Sequence, residues 1–443
     1  MEKCKISQNK SMKAIYLIEN VIGEQREEVF QRLAKKWCSR REESLVDLDS
    51  DLAQVVIGMR RSGKSVLCYN VLKKSGKSFA YVNFDDERLS DLQAEDLDNL
   101  LQVLYSTYGK FEVLFLDELQ NIDSWYLFVN RLLRKGIKVL ITGSNAKLLS
   151  SDLATHLTGR CHKIELLPFS FNAFCEFAGT DILTRTTEAA AKRRETFKLF
   201  LKQGGLPELF KEKNFRSYIS DLLDGILKRD IQTRFRLNHL SDFLRLTNCL
   251  LDIVPTEFSA CNFQKSLSIK SVNTIKNYIA YLRGAYVVLP LHKFSFKTKI
   301  RMTGEKIYPS DIAFMNGREN AFVGENLGWR LETLVFLELL RRARMQGQDL
   351  YYYSERSYEI DFVVCENRKV QSLFQVSYNL ANEKTRSREI NALLKASEKL
   401  KCEDLWLVID GFNEDVEING KLVKIRSASE WLINRAGTET FKS

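Results

Sequence analysis

Positions 54–72 read QVVIGMRRSGKSVLCYNVL, and this stretch decides the fold of the N-terminal part of the chain. An apolar strand, a loop bounded by Gly58 and Gly63 and the start of a helix follow one another, which is the order of a P-loop. Glycines at this spacing allow the backbone to turn its N–H groups toward phosphate oxygens. We therefore predict that the loop binds a nucleotide. The predicted contacts are Gly58, Arg61, Ser62, Gly63, Lys64, Ser65 and Val66.

A second apolar run, at residues 113–116, ends in the carboxylates Asp117 and Glu118. In a P-loop site the lysine meets the β- and γ-phosphates, while the serine hydroxyl and an acidic residue hold Mg²⁺. We assign the first role to Lys64 and the second to Ser65 with Asp117. Glu118 is placed to orient or deprotonate the attacking water. The predicted cofactors are therefore ATP and Mg²⁺, and the predicted catalytic residues include Lys64 and Glu118.

Two more apolar runs, at 79–84 and 138–145, alternate with stretches of helical pattern, and a fifth strand is expected at 162–167. Nearly continuous apolar strands separated by helices indicate a parallel sheet that is covered on both faces. The predicted fold class of this part is α/β, a P-loop NTPase sheet followed by a helical lid.

The length and composition of the chain limit the number of domains and argue against several classes of site and protein. With 443 residues, the chain is long enough for two to four domains at roughly 100 to 200 residues each. Its nine cysteines form no CxxC pair and only four histidines occur, so we expect neither a zinc site nor a disulfide framework. The apolar stretch at 14–18 is too short for a signal sequence, and no run reaches the roughly 18 apolar residues of a membrane helix. A cytoplasmic protein without a membrane partner is expected.

Four segments resemble the AAA+ branch of the P-loop ATPases: GMRRSGKS at 58–65, FLDELQ at 115–120, ITGSN at 141–145 and LTGR at 157–160. The acidic pair and a strand inserted between the two motif strands are similar to the additional-strand class with a catalytic glutamate. From about residue 50 to 410, the chain resembles a group of prokaryotic AAA+-type ATPases that carry a C-terminal domain of unknown function.

This resemblance implies roles for three further residues. Ser144 or Asn145 would be the sensor that reads the γ-phosphate. Arg160 would be a catalytic arginine finger that acts across a subunit boundary, which implies a homo-oligomer. The alternative for Arg160 is an ordinary surface arginine before the fifth strand.

The stretch from residue 258 to 304 contains no Asp or Glu but eight Lys and Arg, while the whole chain has a net charge of +10. Its pattern predicts a winged helix-turn-helix with helices at 242–251 and 262–267, a third helix capped by Ser271 and a wing strand that begins at 286–289. Amide and lysine side chains on one face of the third helix suit a DNA groove. The predicted DNA contacts are Lys270, Asn273, Lys276, Asn277 and Lys293. A winged helix used only for packing or protein contact is the alternative.

The C-terminal part resembles the PD-(D/E)XK core of restriction endonucleases. A helix is expected at 327–345, strands at 350–353, 358–364 and 372–377, a second helix at 385–400 and a last strand at 404–409. Glu332 and Asp361 take the first two positions of the nuclease pattern. Gln375 stands where an active enzyme has an acid, and Ser377 stands where it has the lysine.

A degenerate domain that binds nucleic acid or a partner is therefore favoured. An active nuclease and an unrelated α/β domain stay open, and Lys384, Arg386 or Arg388 would have to replace the missing lysine in the active case.

These patterns predict five segments: a helical segment at 1–50, the P-loop AAA+ core at 51–170, a helical lid at 171–235, the winged helix at 236–303 and the nuclease-like α/β domain at 304–443. The predicted function is a Mg²⁺-dependent ATPase that couples its nucleotide state to a DNA- or partner-binding module. A slow ATP-dependent switch or scaffold that binds a protein partner is one alternative, and an ATP-gated, metal-dependent nuclease is the other.

Overall fold

The computed structural model describes residues 2–93, 96–144, 157–210, 212–237, 239–296, 304–318, 321 and 326–433, with the backbone alone for 2–14 and 316. The chain divides into two compact units, Met1–Leu166 and Leu167–Ser443. Within the described residues, no helix combines the length and the apolar composition that a bilayer crossing requires.

The first unit is built on a five-stranded sheet with the order β2-β3-β4-β1-β5. Its strands are β1 (Ala53–Ile57), β2 (Phe79–Asn83), β3 (Val113–Asp117), β4 (Lys138–Gly143) and β5 (Cys161–Glu165). Its helices are α1 (Glu2–Ala34), α2 (Lys64–Ser75), α3 (Leu97–Tyr108) and α4 (Trp125–Arg134). All four strand pairings are parallel, which confirms the α/β class and the parallel sheet predicted for this part.

Strand β4 lies between β1 and β3 in this sheet. Because the strands are parallel, their carboxyl ends meet at one edge, where ligands bind in open α/β sheets. The loop after β1, the carboxylates after β3 and the end of β4 are thus brought to the same edge.

Helix α1 covers the outer strand β2. The side-chain amide of Gln25 accepts a hydrogen bond from the N–H of Asn83 (2.9 Å) and donates one to the carbonyl of the same residue (3.0 Å). Ile18, Val21 and Ile22 on this helix are buried. This contact closes an edge strand that would otherwise expose unpaired backbone groups.

The second unit begins with the helices α5 (Phe171–Phe177), α6 (Thr187–Gln203) and α7 (Phe215–Gly225). The last of these continues through the π-helical turns Ile226–Gln232 into the short helix Thr233–Phe235. Phe171 and Phe174 on α5 pack against Phe200 on α6, so the first two helices share an aromatic core.

A mixed sheet of nine strands forms the rest of this unit, in the order β13-β14-β12-β11-β10-β9-β7-β8-β6. In chain order the elements are α8 (Leu240–Ile253), β6 (Thr256–Glu257), α9 (Ala260–Leu267), α10 (Val272–Gly284), β7 (Val288–Lys293), β8 (Glu305–Pro309), α11 (Ala313–Asn316), α12 (Leu327–Gln346), β9 (Asp349–Ser354), β10 (Glu359–Glu366), β11 (Lys369–Ser377), α13 (Glu383–Leu400), β12 (Leu405–Ile409), β13 (Glu414–Ile418), β14 (Lys421–Ser427) and α14 (Ala428–Trp431).

Strand β7, which the sequence pattern assigned to a wing, begins later than predicted. Tyr286 has a φ of +56°, in the left-handed region, so it belongs to the turn after α10 and cannot start a strand. Strand β7 pairs with β8 on one side and with β9 on the other, through Lys293 and Tyr352. The predicted boundary at residue 303 thus falls between two paired strands of one sheet.

Two adjacent glycines allow a close backbone approach in the second unit. A Cβ at Gly205 would lie 2.4 Å from the carbonyl oxygen of Phe169, and one at Gly204 would meet the carboxylate of Asp311. The N–H of Gly205 donates to Asp311 Oδ2, and the N–H of Ala313 donates to Oδ1, both at 2.8 Å. Asp311 is fully buried, so these two N–H groups are its hydrogen-bond donors in an interior position.

Candidate functional site

The loop between β1 and α2 has the backbone geometry of an anion site. Gly58 has a φ of +154°, and a Cβ there would lie 2.2 Å from the carbonyl oxygen of Leu166. Gly63 has a φ of +93° and precedes the first residue of α2, and its position provides no side-chain cap. Since the first N–H groups of a helix have no partner within it, they remain available for phosphate oxygens.

Two polar groups of this loop are buried. The Nζ of Lys64 donates to the carbonyl of Met59 at 3.1 Å and lies 3.8 Å from Glu118 Oε1. The hydroxyl of Ser62 is buried without a hydrogen-bond partner among the described residues. A nucleotide phosphate would supply acceptors for such donors, so the loop fits the predicted cofactor.

Two of the predicted nucleotide contacts, Arg61 and Val66, are less buried than Lys64 and Ser62. Arg61 is exposed and has a φ of +66°. Burial raises the pKa of the nearby Asp85, and the charges of Arg60 and Arg61 only partly oppose this rise. Val66 is half-buried in the first turn of α2.

Asp117 lies at the centre of a hydrogen-bond network. Its Oδ1 accepts from Ser65 Oγ at 3.0 Å and from the hydroxyl of Thr142, and its Oδ2 accepts from Tyr81 at 3.2 Å. Burial, together with the charge of Glu118, raises the pKa of Asp117 to about 6. A serine hydroxyl and a carboxylate in contact are the oxygen ligands that Mg²⁺ prefers, so Ser65 and Asp117 are able to hold the ion.

Glu118 is held by the end of β4. Its Oε2 accepts from the N–H (3.2 Å) and the hydroxyl (2.9 Å) of Ser144, and also from Gln120. Burial tends to raise the pKa of Glu118, but the Lys64 ammonium and these hydrogen bonds outweigh it, and the pKa lies below its usual value. The carboxylate is therefore ionised and able to accept a proton.

Arg160 is not brought to this edge. Arg160 is exposed at the start of β5, where its carbonyl accepts from the N–H of Ala53 (2.9 Å) and its guanidinium donates to Asn130 (2.7 Å). Ala53 begins β1 and the P-loop follows the end of β1, so Arg160 lies at the opposite end of the sheet. Asn145 lies outside the described residues.

The sequence interpretation missed Thr142, Tyr81 and Gln120. Thr142 lies in β4 two positions before Ser144, which follows the strand, and in an extended chain this spacing places both side chains on the same face. That signal was available. Tyr81 reaches Asp117 from the neighbouring strand β2, and no local pattern marks such a contact.

A second polar cluster lies in the second unit, where β8 faces α12 and β10. The buried Nζ of Lys306 contacts Glu359 and lies 3.7 Å from Glu332 Oε1. The hydroxyl of Tyr308 donates to Glu332 at 2.7 Å. Burial raises the pKa of Glu332 despite the nearby Lys306, and burial with the charge of Glu332 raises that of Asp361 well above its usual value.

Gln375 lies close to Asp361, but it binds the backbone of Asp361 and the carboxylate of Glu389 rather than the Asp361 carboxylate. It accepts from the N–H of Asp361 at 3.3 Å and donates to Glu389 at 2.7 Å, while Asp361 Oδ2 accepts from the N–H of Val376 at 2.8 Å. In the part of the chain that the structure describes, no group of three His, Cys, Asp or Glu side chains is arranged to hold a metal ion.

The positive charge beside Glu332 is the ammonium group of Lys306, which lies on β8. Among the three residues considered as replacements for the missing lysine, Arg386 pairs with Glu414 at 2.8 Å and Arg388 pairs with Glu389 at 2.5 Å. Lys306 was not anticipated, because it precedes the nuclease-like pattern in the sequence.

The predicted DNA contacts differ in their exposure to solvent. Four of them are exposed, namely Lys270, Asn273, Lys276 and Asn277, whereas Lys293 is half-buried on β7. Ile275, Ile279 and Leu282 on the opposite face of α10 are buried.

Comparison with known proteins shows to which family the chain belongs. Residues 50–175 match the family described as AAA domain, and residues 194–321 and 327–428 match two domains of unknown function, DUF8612 and DUF4143. The uncharacterized protein MJ1544 of Methanocaldococcus jannaschii is 35% identical over 392 residues, which cover 86% of this chain and 87% of that protein. The chain belongs to the MJ1544 family.

Two further similarities span most of the other protein's length. An uncharacterized protein of Haemophilus influenzae is 27% identical over 405 residues, 87% of this chain and 95% of that protein. The solved structure of the Walker-type ATPase paby2304 of Pyrococcus abyssi has a TM-score of 0.43 and 14% identity, and the similarity covers 63% of this chain and 95% of that one. The AAA match covers most of the first unit of this MJ1544-family protein, and the parallel sheet of that unit agrees with a P-loop AAA+ fold.

Proposed function

We propose that the protein binds ATP with Mg²⁺ at the P-loop and hydrolyses it. The observation that supports this most is the convergence of Lys64 with the adjacent carboxylates Asp117 and Glu118, from two separate segments, at one edge of the sheet. Mg²⁺ would supply positive charge that offsets the charge of the nucleotide phosphates. Ser65 and Asp117 would hold it there.

The contacts of Lys64 suggest how binding prepares the site. A phosphate group carries more charge than the Met59 carbonyl or the Glu118 carboxylate, so it would compete for the Lys64 ammonium. Release of Lys64 leaves Glu118 free to accept a proton from water, while Ser144 fixes the orientation of its carboxylate. Ser144 would then link the γ-phosphate to the position of Glu118.

Two variants test this proposal. Lys64→Ala should abolish binding of a fluorescent ATP analogue, because the main cation of the loop is lost. Glu118→Gln should bind the analogue as tightly as the wild type but release phosphate at least about 100-fold more slowly, the usual contribution of a general base. A wild-type protein that binds no ATP refutes the proposal. Tight binding without turnover in the wild type would instead favour the regulatory switch or scaffold.

We also propose that α10 binds DNA and that the region from α8 to β8 is a winged helix. The elements follow one another as helix, strand, two helices and a hairpin, and β6, β8 and β7 pair antiparallel. Asn273, Lys276 and Asn277 are exposed on the face of α10 opposite its buried stripe. This arrangement suits a helix that lies in the major groove.

The DNA proposal is tested by salt dependence. Binding of a labelled duplex should weaken between 50 and 200 mM NaCl, and the double variant Lys270→Ala/Lys276→Ala should reduce the slope of log K against log salt by about 2, near 0.9 for each phosphate contact. Lys198→Ala/Lys395→Ala is the control, since both of its lysines are exposed on other helices. An affinity independent of salt, or equal losses in both double variants, would leave the partner-binding alternative.

We propose further that the C-terminal core is a nuclease-like remnant. Lys306 places a fixed ammonium group between Glu332 and Glu359, and Gln375 is held by Glu389. These contacts satisfy the carboxylates without a metal ion.

A further inference from the structure

Arg40 lies beside the P-loop, although it belongs to the segment between α1 and β1. The residue is 7% exposed, and its Nη1 donates to the carbonyl oxygen of Ser62 at 3.3 Å. The same nitrogen lies 4.0 Å from the place that a Cβ at Gly63 would take. A guanidinium group therefore contacts the peptide bond that joins Ser62 to Gly63.

The segment that carries Arg40 is fixed on α2, the helix that starts at the P-loop. Glu43 Oε1 accepts from the backbone N–H of Arg40 at 2.8 Å and from Asn70 Nδ2 at 3.0 Å. Asn70 also donates to the carbonyl of Cys38 at 3.1 Å, and Lys74 forms an ion pair with Glu43. Arg40 is thus held at a defined position relative to the loop.

The contact with Ser62 determines the orientation of the next N–H group. In a trans peptide bond, the C=O and N–H groups point in opposite directions. Because the carbonyl of Ser62 faces Arg40, the N–H of Gly63 turns to the other side of the loop. A P-loop binds phosphate through backbone N–H groups that point inward, so the orientation of this peptide bears directly on affinity.

The two ends of the guanidinium group serve different contacts. Its Nε lies 3.8 Å from Glu42 Oε2, while Nη1 donates to Ser62. A planar fork of donors holds both partners at once, which a single lysine ammonium cannot do in the same geometry.

We propose that Arg40 is a positioning residue of the nucleotide site, which sets the Ser62–Gly63 peptide so that the N–H of Gly63 meets the phosphate. The inference rests on the proposed ATP binding. It adds to that function a residue from outside the motif, and predicts that the affinity depends on the phosphates of the nucleotide.

The test compares the full-length wild type with Arg40→Gln and Arg40→Lys, using a fluorescent ADP analogue and Mg²⁺. Loss of one charge-assisted hydrogen bond to the loop should weaken ADP binding about tenfold in Arg40→Gln. Arg40→Lys should bind with intermediate affinity. Hydrogen–deuterium exchange without nucleotide should increase in the peptide that covers 58–66, because the orientation of the loop is no longer held.

Lys74→Met is the matched control, since Lys74 contacts the same Glu43 and Ser39 but lies away from the loop with a side chain that is 62% exposed. It should bind ADP within about twofold of the wild type, as expected for an exposed ion pair. Wild-type ADP affinity in Arg40→Gln overturns the proposal. So does an equal loss in Lys74→Met, which would show that Arg40 acts only by holding its own segment.

If Arg40→Gln does not fold, Arg40→Lys provides the same test, and an unchanged ADP affinity in that variant overturns the inference. A wild-type protein that binds no ADP or ATP refutes the proposed function itself and is thus distinguishable from failure of the Arg40 proposal.

Discussion

Thr142 connects the two acidic residues of the nucleotide site. Its buried hydroxyl donates to Asp117 Oδ1 and accepts from the N–H of Glu118 at 3.1 Å. Thr142→Val keeps the shape but leaves the Glu118 N–H without its partner, so the free energy of unfolding should fall by about 1–3 kcal/mol. Phosphate release should slow as well, because the Asp117 carboxylate loses a donor and the backbone that carries Glu118 loses its partner. Urea denaturation and a turnover assay measure the two effects.

Ser144→Ala is the control for Thr142→Val. The Ser144 hydroxyl contacts Glu118, and the backbone N–H of the same residue keeps its hydrogen bond after the substitution. We therefore expect slower phosphate release with nearly unchanged stability. Wild-type stability in Thr142→Val would contradict the role given to its hydroxyl.

At the scale of single elements, Lys306 joins β8 to α12 and β10. Burial by itself would lower the pKa of Lys306, but Glu332, Asp361 and Glu359 outweigh it, so the pKa is raised and the side chain is charged. Lys306→Met leaves buried carboxylates without their cation and should reduce the free energy of unfolding by about 3–5 kcal/mol. Urea denaturation is the measurement.

Two further variants separate the Lys306 effect from general damage. Lys306→Met/Glu332→Gln should recover part of the loss, because one uncompensated charge is removed with its partner. Lys399→Met breaks an exposed ion pair with Glu355 and should have little effect. Equal stability of Lys306→Met and Lys399→Met would show that the cluster does not depend on the ammonium group.

Asp311 makes the contact between the glycine pair and α11 dependent on pH. Burial raises the pKa of Asp311 to about 6, although the N–H groups of Ala313 and Gly205 and the charge of Arg341 oppose this. In the unfolded chain the pKa is about 3.9, so between these values the folded protein retains a proton that the unfolded chain releases. Stability should therefore fall as pH rises from 4 to 6, by about 3 kcal/mol from this group.

The comparison with Asp311→Asn isolates this contribution. The variant cannot ionise at this position, so the difference in unfolding free energy between wild type and variant should decrease as pH rises through 4 to 6. Urea denaturation at several pH values measures it. Parallel pH profiles of the two proteins would contradict the expectation.

At the scale of the whole molecule, the clearest prediction is that the chain does not cleave DNA. Incubation of the full chain with nicked or linear DNA and Mg²⁺ or Mn²⁺ should give no cleavage, because Lys306 already compensates the carboxylates and Gln375 lacks the charge of a metal ligand. Gel electrophoresis is the measurement. Cleavage that is lost in Asp361→Ala would contradict the remnant proposal and support an active nuclease.

Most elements were predictable, because their patterns are local. The strands of the parallel sheet are short apolar runs, and the helix after Ser271 begins where its cap predicts, with Ser271 Oγ accepting from the N–H of Thr274 at 3.1 Å. The predicted start of β7 was wrong, since nothing in the apolar run from Tyr286 shows that this residue adopts a left-handed conformation.

The sequence by itself determined the P-loop, the acidic end of β3 and the α/β class of the first unit, since glycine spacing and apolar periodicity act over a few residues. Only the tertiary structure decided that Thr142 and Tyr81 hold Asp117 and that Lys306 meets Glu332. It also decided that the hairpin of β7 and β8 joins the C-terminal strands in one sheet. These contacts join positions far apart in the chain, and such partners leave no periodic signal in the local sequence.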